Sequence, residues 1–156
     1  MRLCYAGEVA LLRADQLDPA RQRLQMGAEL IGSDAVSAAS EAVLLAIASL
    51  EAAGLSDISV DFTLPDLVDV LADEVLPLAA DQRDAVRREL DTKDAGGLAA
   101  AGGQAYLPLL YATGPFAEAA AKLKALDAGG ELASRIEGLE AIADRIGGRA
   151  RITLDP

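Results

Sequence analysis

The alternation of apolar and polar positions predicts two strands at the start of the chain. Residues 3 to 13 are expected to form the first strand, residues 14 to 20 a turn that contains Pro19, and residues 21 to 32 the second strand. Apolar residues occupy one set of alternate positions in the second strand: Leu24, Met26, Ala28 and Leu30. Since successive side chains of a strand point to opposite faces, we expect an antiparallel hairpin with one apolar face and one mixed face.

A helical pattern follows the hairpin. Between residues 35 and 53, apolar residues recur at helical spacing on one side: Val36, Ala39, Val43, Leu44, Ile47 and Leu50. Ser33 or Asp34 is expected to cap the start of this helix, because short polar side chains accept hydrogen bonds from free backbone amides. Gly54 is expected to end it.

The rest of the chain alternates between strand and helical patterns. Residues 57 to 63 predict a third strand, since Ile58, Val60 and Phe62 alternate with polar residues. Residues 63 to 66 are similar to a capping box, and a helical pattern then continues to residue 146. Four glycine pairs interrupt this pattern and are interpreted as helix ends and turns: 96–97, 102–103, 129–130 and 147–148. A last stripe of apolar residues predicts a helix over 132 to 146, and a final strand is predicted over 149 to 154.

This order of elements predicts an α+β fold, in which a helical insertion interrupts an antiparallel sheet. We expect residues 1–156 to form a single partial domain. Its parts would be a hairpin, helix and strand over residues 1–64, a helical segment over 65–148 and a return strand over 149–156. Because the pattern begins inside a hairpin and stops on a strand, we expect the sheet to be incomplete at both ends.

Composition narrows the classes of function. Asp and Glu total 25 against 14 Lys and Arg, so the net charge is −11, and such a surface repels the phosphates of nucleic acids. The chain has no histidine and one cysteine, which argues against a metal centre and an internal disulfide. The first residues lack the apolar core of a signal peptide, and charges interrupt every longer apolar run. We therefore expect a cytoplasmic protein without a membrane segment or cofactor.

Other candidate residues have structural interpretations. Cys4 is expected to be a buried structural thiol, since no histidine is available to activate it. Tyr106 and Tyr111 are expected to be core or interface anchors. One helical face carries three carboxylates: Asp66, Asp69 and Asp73. Because no calcium-binding loop follows, we interpret this face as a solvated acidic surface.

The second strand contains the most informative segment. Gln25, Gly27 and Glu29 share its mixed face, and the glycine leaves the surface open between an amide and a carboxylate. The Cα atoms of Gln25 and Glu29 are expected roughly 13 Å apart, a gap that the two side chains can narrow to the size of an amino acid. The alternative is a solvated sheet face that the glycine weakens.

Several segments together resemble motif 2 of the class II histidyl-tRNA synthetases and of their paralogue, the regulatory subunit of ATP phosphoribosyltransferase. The matching segments are Leu12-Arg13, Arg21-Gln22 and residues 25–32, which run Gln-Met-Gly-Ala-Glu-Leu-Ile-Gly. Residues 151–156 are similar to the strand that precedes the tyrosine-bearing histidine loop of this family. The resemblance implies that the sheet belongs to a class II synthetase-like catalytic core.

The resemblance also implies roles for three residues. Gln25 and Glu29 match the family residues that bind the imidazole and amino groups of histidine. Arg13 matches the motif 2 arginine, which in the synthetases contacts ATP and the aminoacyl carboxylate. The chain departs from the pattern at Asp15, where glutamate is usual, and at Arg23, where an aromatic residue is usual.

These 156 residues do not contain motif 1, motif 3, the tyrosine loop or the anticodon-binding domain of the synthetases. Without those parts of the ATP site we expect no aminoacylation. The resemblance therefore implies a non-catalytic regulatory subunit in histidine biosynthesis. Its partner would be the catalytic subunit of ATP phosphoribosyltransferase, which joins ATP to phosphoribosyl pyrophosphate, and histidine would be the allosteric effector. The alternatives are a fragment of a histidyl-tRNA synthetase and a purely structural helical domain.

Overall fold

The computed structural model describes residues 1–13, 19–127 and 129–156. The described strands are β1 (Arg2–Ala10), β2 (Gln22–Leu30), β3 (Ser59–Phe62), β4 (Gly114–Pro115) and β5 (Arg151–Leu154). The described α-helices are α1 (Val36–Ala52), α2 (Leu67–Glu74), α3 (Ala80–Asp91), α4 (Ala95–Ala100), α5 (Phe116–Leu126) and α6 (Ala133–Ile146). Short 3₁₀-helices occupy Gln104–Tyr111 and Gly147–Arg149. The predicted α+β fold is confirmed.

The predicted hairpin is confirmed and forms a two-stranded sheet of its own. Strands β1 and β2 pair antiparallel from Arg2 opposite Leu30 to Ala10 opposite Gln22. The turn predicted between them falls largely on residues 14–18, which lie outside the described residues. The predicted apolar face exists, but it is open to solvent in this chain: Leu24 is 77% exposed and Met26 is 72% exposed.

The second sheet has the order β3-β5-β4 and differs in one pairing from the antiparallel sheet expected from the sequence. Strands β3 and β5 run parallel, while β4 and β5 are antiparallel. The parallel pairing is possible because the helical segment between β3 and β5 is long enough to bring the chain back to the end of the sheet at which β3 starts. Strand β4 was not predicted, because a Gly-Pro pair shows no alternation of apolar and polar residues.

Helices and the three-stranded sheet enclose one hydrophobic core. Helix α1 packs on α6, and the stripe predicted on α6 is buried at Ile136, Ile142 and Ile146. The helix predicted over 35 to 53 is confirmed, since Ile47 is buried and Gly54 follows the last turn with a φ of 84°. Phe62 of β3 meets Phe116 edge to face, with ring centroids 5.5 Å apart. This contact ties the sheet to α5.

Predicted helix caps are less accurate than the helices themselves. Helix α1 begins after Ala35, which makes no side-chain cap. Asp66 precedes α2 without capping it, because its carboxylate pairs with Arg135 at 2.6 Å. The glycine pair 96–97 lies inside α4 rather than at a helix end, and the Gly97 amide donates to the Asp94 carboxylate at 2.9 Å.

The prediction for Cys4 was wrong, because its thiol is exposed. Cys4 lies in β1, whose faces are both open to solvent over most of the strand. A strand pattern alone does not reveal whether another layer covers it. Of the helices that the structure describes, none combines the length and apolar character needed to cross a membrane.

Candidate functional site

The register of the hairpin assembles the candidate site on its mixed face. Gly7 lies opposite Gln25, Tyr5 opposite Gly27, and Leu3 opposite Glu29. Directly opposed residues of an antiparallel pair point to the same side, and residues two apart along a strand do so as well. Gln25, Gly27 and Glu29 therefore share one face with side chains of β1. This is the geometry that the sequence predicts for β2.

Tyr5 lies across Gly27 on this face. A Cβ atom added to Gly27 would lie 2.5 Å from the Tyr5 hydroxyl oxygen and 2.6 Å from Cζ, so the phenol ring occupies the space that the missing side chain leaves. The Gln25 amide nitrogen Nε2 donates to the Tyr5 hydroxyl at 3.1 Å. The gap expected over Gly27 therefore has an aromatic floor.

Glu29 lies two residues beyond Gly27 and is exposed. Within the described part of the chain its carboxylate forms no hydrogen bond or ion pair. A free carboxylate beside an aromatic ring and an amide suits an ammonium or imidazolium group. The face thus offers complementary chemistry to one small cationic ligand.

Arg13 lies apart from this group. It is exposed and follows the end of β1, at the turn end of the hairpin. Glu29 pairs near the opposite end, across from Leu3. The seven steps along the strand from residue 3 to residue 10 already span about 23 Å, so Arg13 and Glu29 do not reach one small ligand here. Asp15, which departs from the family pattern, lies outside the described residues.

Sequence reasoning missed Tyr5. The strand pattern placed it on β1 without assigning it a role, because its importance depends on the register between the two strands. Only that register sets Tyr5 across from Gly27. An aromatic residue opposite a strand glycine is the signal that could have identified it.

The acidic face of α2 is neutralised by arginines. Arg83 pairs with Asp73 at 2.5 Å, and Arg87 pairs with Asp69 at 2.9 Å. The hydrogen bond to Asp73 raises the pKa of Arg83, an effect that burial only partly opposes. In the described ranges no three His, Cys, Asp or Glu side chains are placed to hold a metal ion. The acidic face is a set of ion pairs.

Among the described residues, two open cavities outside the mixed face carry charged side chains. One, of about 320 Å³, lies beyond the ends of β3 and β5, where Lys93 pairs with Asp155. The other, of about 250 Å³, lies between the hairpin and α1, where Arg2 pairs with Glu41. In both cavities these charged groups are already paired within the protein.

Comparison with known proteins supplies an independent finding. The family model described as histidyl-tRNA synthetase matches residues 1–156. The ATP phosphoribosyltransferase regulatory subunit of Rhodospirillum rubrum is 39% identical over 162 aligned positions, which cover 100% of this chain and 42% of that protein. The subunit of the same name from Rhodospirillum centenum is 41% identical over 130 residues, covering 81% of this chain and 33% of that protein. That of Paramagnetospirillum magneticum is 36% identical over 163 positions. The chain thus spans less than half the length of these relatives.

Proposed function

The chain belongs to the histidyl-tRNA synthetase family, and from this membership we propose that it serves as a non-catalytic regulatory subunit of ATP phosphoribosyltransferase. One observation carries the proposal: a relative of that name is 39% identical across the whole chain. The function belongs to the first step of histidine biosynthesis, in the cytoplasm.

The proposed partner is the catalytic subunit of ATP phosphoribosyltransferase, and the proposed effector is histidine. The mixed face of the hairpin supports the effector, because Gln25 and Glu29 flank a floor of suitable size for an amino acid. The free Glu29 carboxylate provides the counter-charge for a cationic group of the ligand. Arg13 stays a predicted contact, although in this structure it lies at the opposite end of the hairpin from Glu29.

The decisive experiment mixes the chain with the catalytic subunit from the same organism. The measured quantity is the rate at which ATP and phosphoribosyl pyrophosphate are joined. We expect the chain to raise this rate and L-histidine to lower it again, since an effector that binds one state better shifts the equilibrium. A folded chain that leaves the rate unchanged, with and without histidine, would contradict the proposal.

A titration of L-histidine into the chain, followed by calorimetry, locates the effector site. Glu29→Ala is expected to abolish saturable binding. Glu8→Ala is the matched control, because Glu8 lies in the same hairpin on the opposite face, where it accepts a hydrogen bond from Gln22 at 2.8 Å. Equal losses in both variants would indicate damage to the hairpin instead of loss of a ligand contact.

A histidyl-tRNA synthetase fragment is the second candidate, because the matching family model carries the synthetase description. The net charge of −11 works against it, since tRNA binding needs attraction to phosphates. An aminoacylation assay with histidine, ATP and tRNA separates the two functions. We expect no charged tRNA, and charging by this chain would favour the synthetase.

A further inference from the structure

We propose that Tyr5 is a ligand-positioning residue of the hairpin. Its ring forms the floor of the site between Gln25 and Glu29, and its hydroxyl holds the Gln25 amide at the edge of that floor. This inference rests on the proposed function, because it concerns how the same face binds histidine.

The position of the ring follows from the register and the missing side chain of Gly27. Tyr5 is directly opposite Gly27, and three of its ring and hydroxyl atoms lie within 2.9 Å of where a Cβ atom would stand. Tyr5 is nevertheless 47% exposed, so the ring still presents surface to a ligand. Any other residue at position 27 would displace the ring.

The hydroxyl restricts an otherwise mobile side chain. Gln25 is exposed, and the hydrogen bond from its Nε2 to the Tyr5 hydroxyl anchors its amide. A free glutamine loses rotamer entropy when a ligand fixes it, and a glutamine already tethered loses less. With Nε2 bonded to Tyr5, the amide oxygen Oε1 remains available to accept from a ligand ammonium. The ring face adds attraction for the same positive charge.

A simpler role for Tyr5 is to cover the glycine and stabilise the hairpin. If Tyr5 only stabilises the hairpin, Tyr5→Phe should affect all ligands equally and independently of Gln25. If Tyr5 positions the Gln25 amide, the effect should depend on the ammonium group of the ligand and on the presence of Gln25. The two are therefore separated by measuring binding of ligands with and without an ammonium group.

The experiment is calorimetry with L-histidine and with imidazolepropionate, which lacks the ammonium group. The proteins are the unmodified chain, Tyr5→Phe, Gln25→Ala and the double variant. Tyr5→Phe keeps the ring and is expected to weaken histidine binding about threefold to tenfold, the range for one lost hydrogen bond. Imidazolepropionate binding should stay unchanged. When Gln25 is already replaced by alanine, adding Tyr5→Phe should not weaken histidine binding further, since the two residues act through one hydrogen bond.

Two results would overturn the inference. If the unmodified chain binds histidine and Tyr5→Phe binds it equally well, the positioning role is wrong while the proposed function stands. If the unmodified chain binds no histidine at millimolar concentration, the effector site itself is wrong and the inference falls with it.

A second variant tests the floor independently of the hydroxyl. Gly27→Ala places a methyl group where the Tyr5 ring lies and is expected to abolish histidine binding. Gly148→Ala is the control, because Gly148 lies outside the hairpin and nothing lies within 4 Å of its added Cβ atom. Unchanged binding in Gly27→Ala, measured on a variant with the same circular dichroism spectrum, would show that the ring is not part of the site.

Discussion

Two tyrosines in one 3₁₀-helix show how far neighbouring residues can differ in environment. Tyr106 is 1% exposed and its hydroxyl donates to the Leu76 carbonyl at 2.8 Å, whereas Tyr111 is 71% exposed. Burial raises the pKa of Tyr106 to about 12. The expectation of a core anchor is thus confirmed for Tyr106, and Tyr111 lies outside the core.

The raised pKa of Tyr106 predicts a specific alkaline instability. An unfolded tyrosine has a pKa of about 10, so above that pH the unfolded chain releases a proton that the folded chain retains. The contribution of Tyr106 to the free energy of unfolding is therefore complete below pH 10 and is lost as the pH rises toward about 12. Tyr106→Phe should lower the free energy of unfolding by about 1 to 2 kcal/mol at pH 7 and should flatten this alkaline decline.

Thermal melts at several pH values between 8 and 11 would measure both effects. Tyr111→Phe is the control, since the Tyr111 hydroxyl is exposed and its removal should leave the free energy of unfolding at pH 7 unchanged. The same alkaline slope in Tyr106→Phe and in the unmodified chain would refute the assignment.

At the scale of the element, Asp127 determines how α6 begins. Its buried carboxylate accepts hydrogen bonds from the backbone amides of Glu131 at 2.9 Å and Leu132 at 2.8 Å. Asp127→Ala leaves both amides without this acceptor, and we expect a loss of about 1 to 3 kcal/mol in the free energy of unfolding. Urea titration measures this loss, with Asp144→Ala on the exposed side of α6 as the control. A loss no larger than that of the control would contradict the capping role.

Elements with a long periodic pattern were predictable from the sequence, and elements made by distant contacts were not. Helices α1 and α6 follow from spacing, because burial of one face imposes that spacing. The hairpin follows from the alternation along β2, although its apolar face is exposed in this chain. The parallel pairing of β3 with β5 was not predictable in this way, since it depends on the path of the intervening helices. The capping box expected over residues 63–66 is not seen at α2 for a similar reason, because the Asp66 carboxylate pairs with Arg135, far along the chain.

The candidate site likewise has one part that residue spacing predicts and another that depends on contacts between strands. The sequence alone placed Gln25 and Glu29 on one face of one strand. The position of Tyr5 over Gly27 required the register between two strands. The separation of Arg13 from Glu29 required the full length of the hairpin, which residue spacing within one motif does not convey.

The whole molecule consists of an enclosed helical body and a hairpin that lies largely outside its core. Among the residues that the structure describes, every buried residue of the core comes from the chain after residue 46, and β1 and β2 contribute none of them. Arg2 of β1 forms a bidentate ion pair with Glu41 of α1, which links the two parts. An isolated two-stranded sheet is marginally stable in water, so the hairpin should open independently of the body.

Amide hydrogen exchange tests this difference in stability. The cross-strand amides of the hairpin, such as Leu11 bonded to Arg21, should exchange at least about tenfold faster than those joining β3 and β5, such as Arg151 bonded to Ile58. Arg2→Ala should accelerate exchange in the hairpin alone, because it removes the link to α1.

Arg149→Ala is the matched control for that variant, since Arg149 forms the corresponding ion pair with Glu51 at the other end of α1. Arg149→Ala should leave exchange in the hairpin unchanged.

If histidine binds the mixed face, histidine should slow exchange in β1 and β2 and leave exchange in β3 and β5 unchanged, because a ligand stabilises only the states that bind it. Uniform exchange across both sheets would instead mean that the hairpin and the body unfold as one cooperative unit, and the link through Arg2 would then have no separate role.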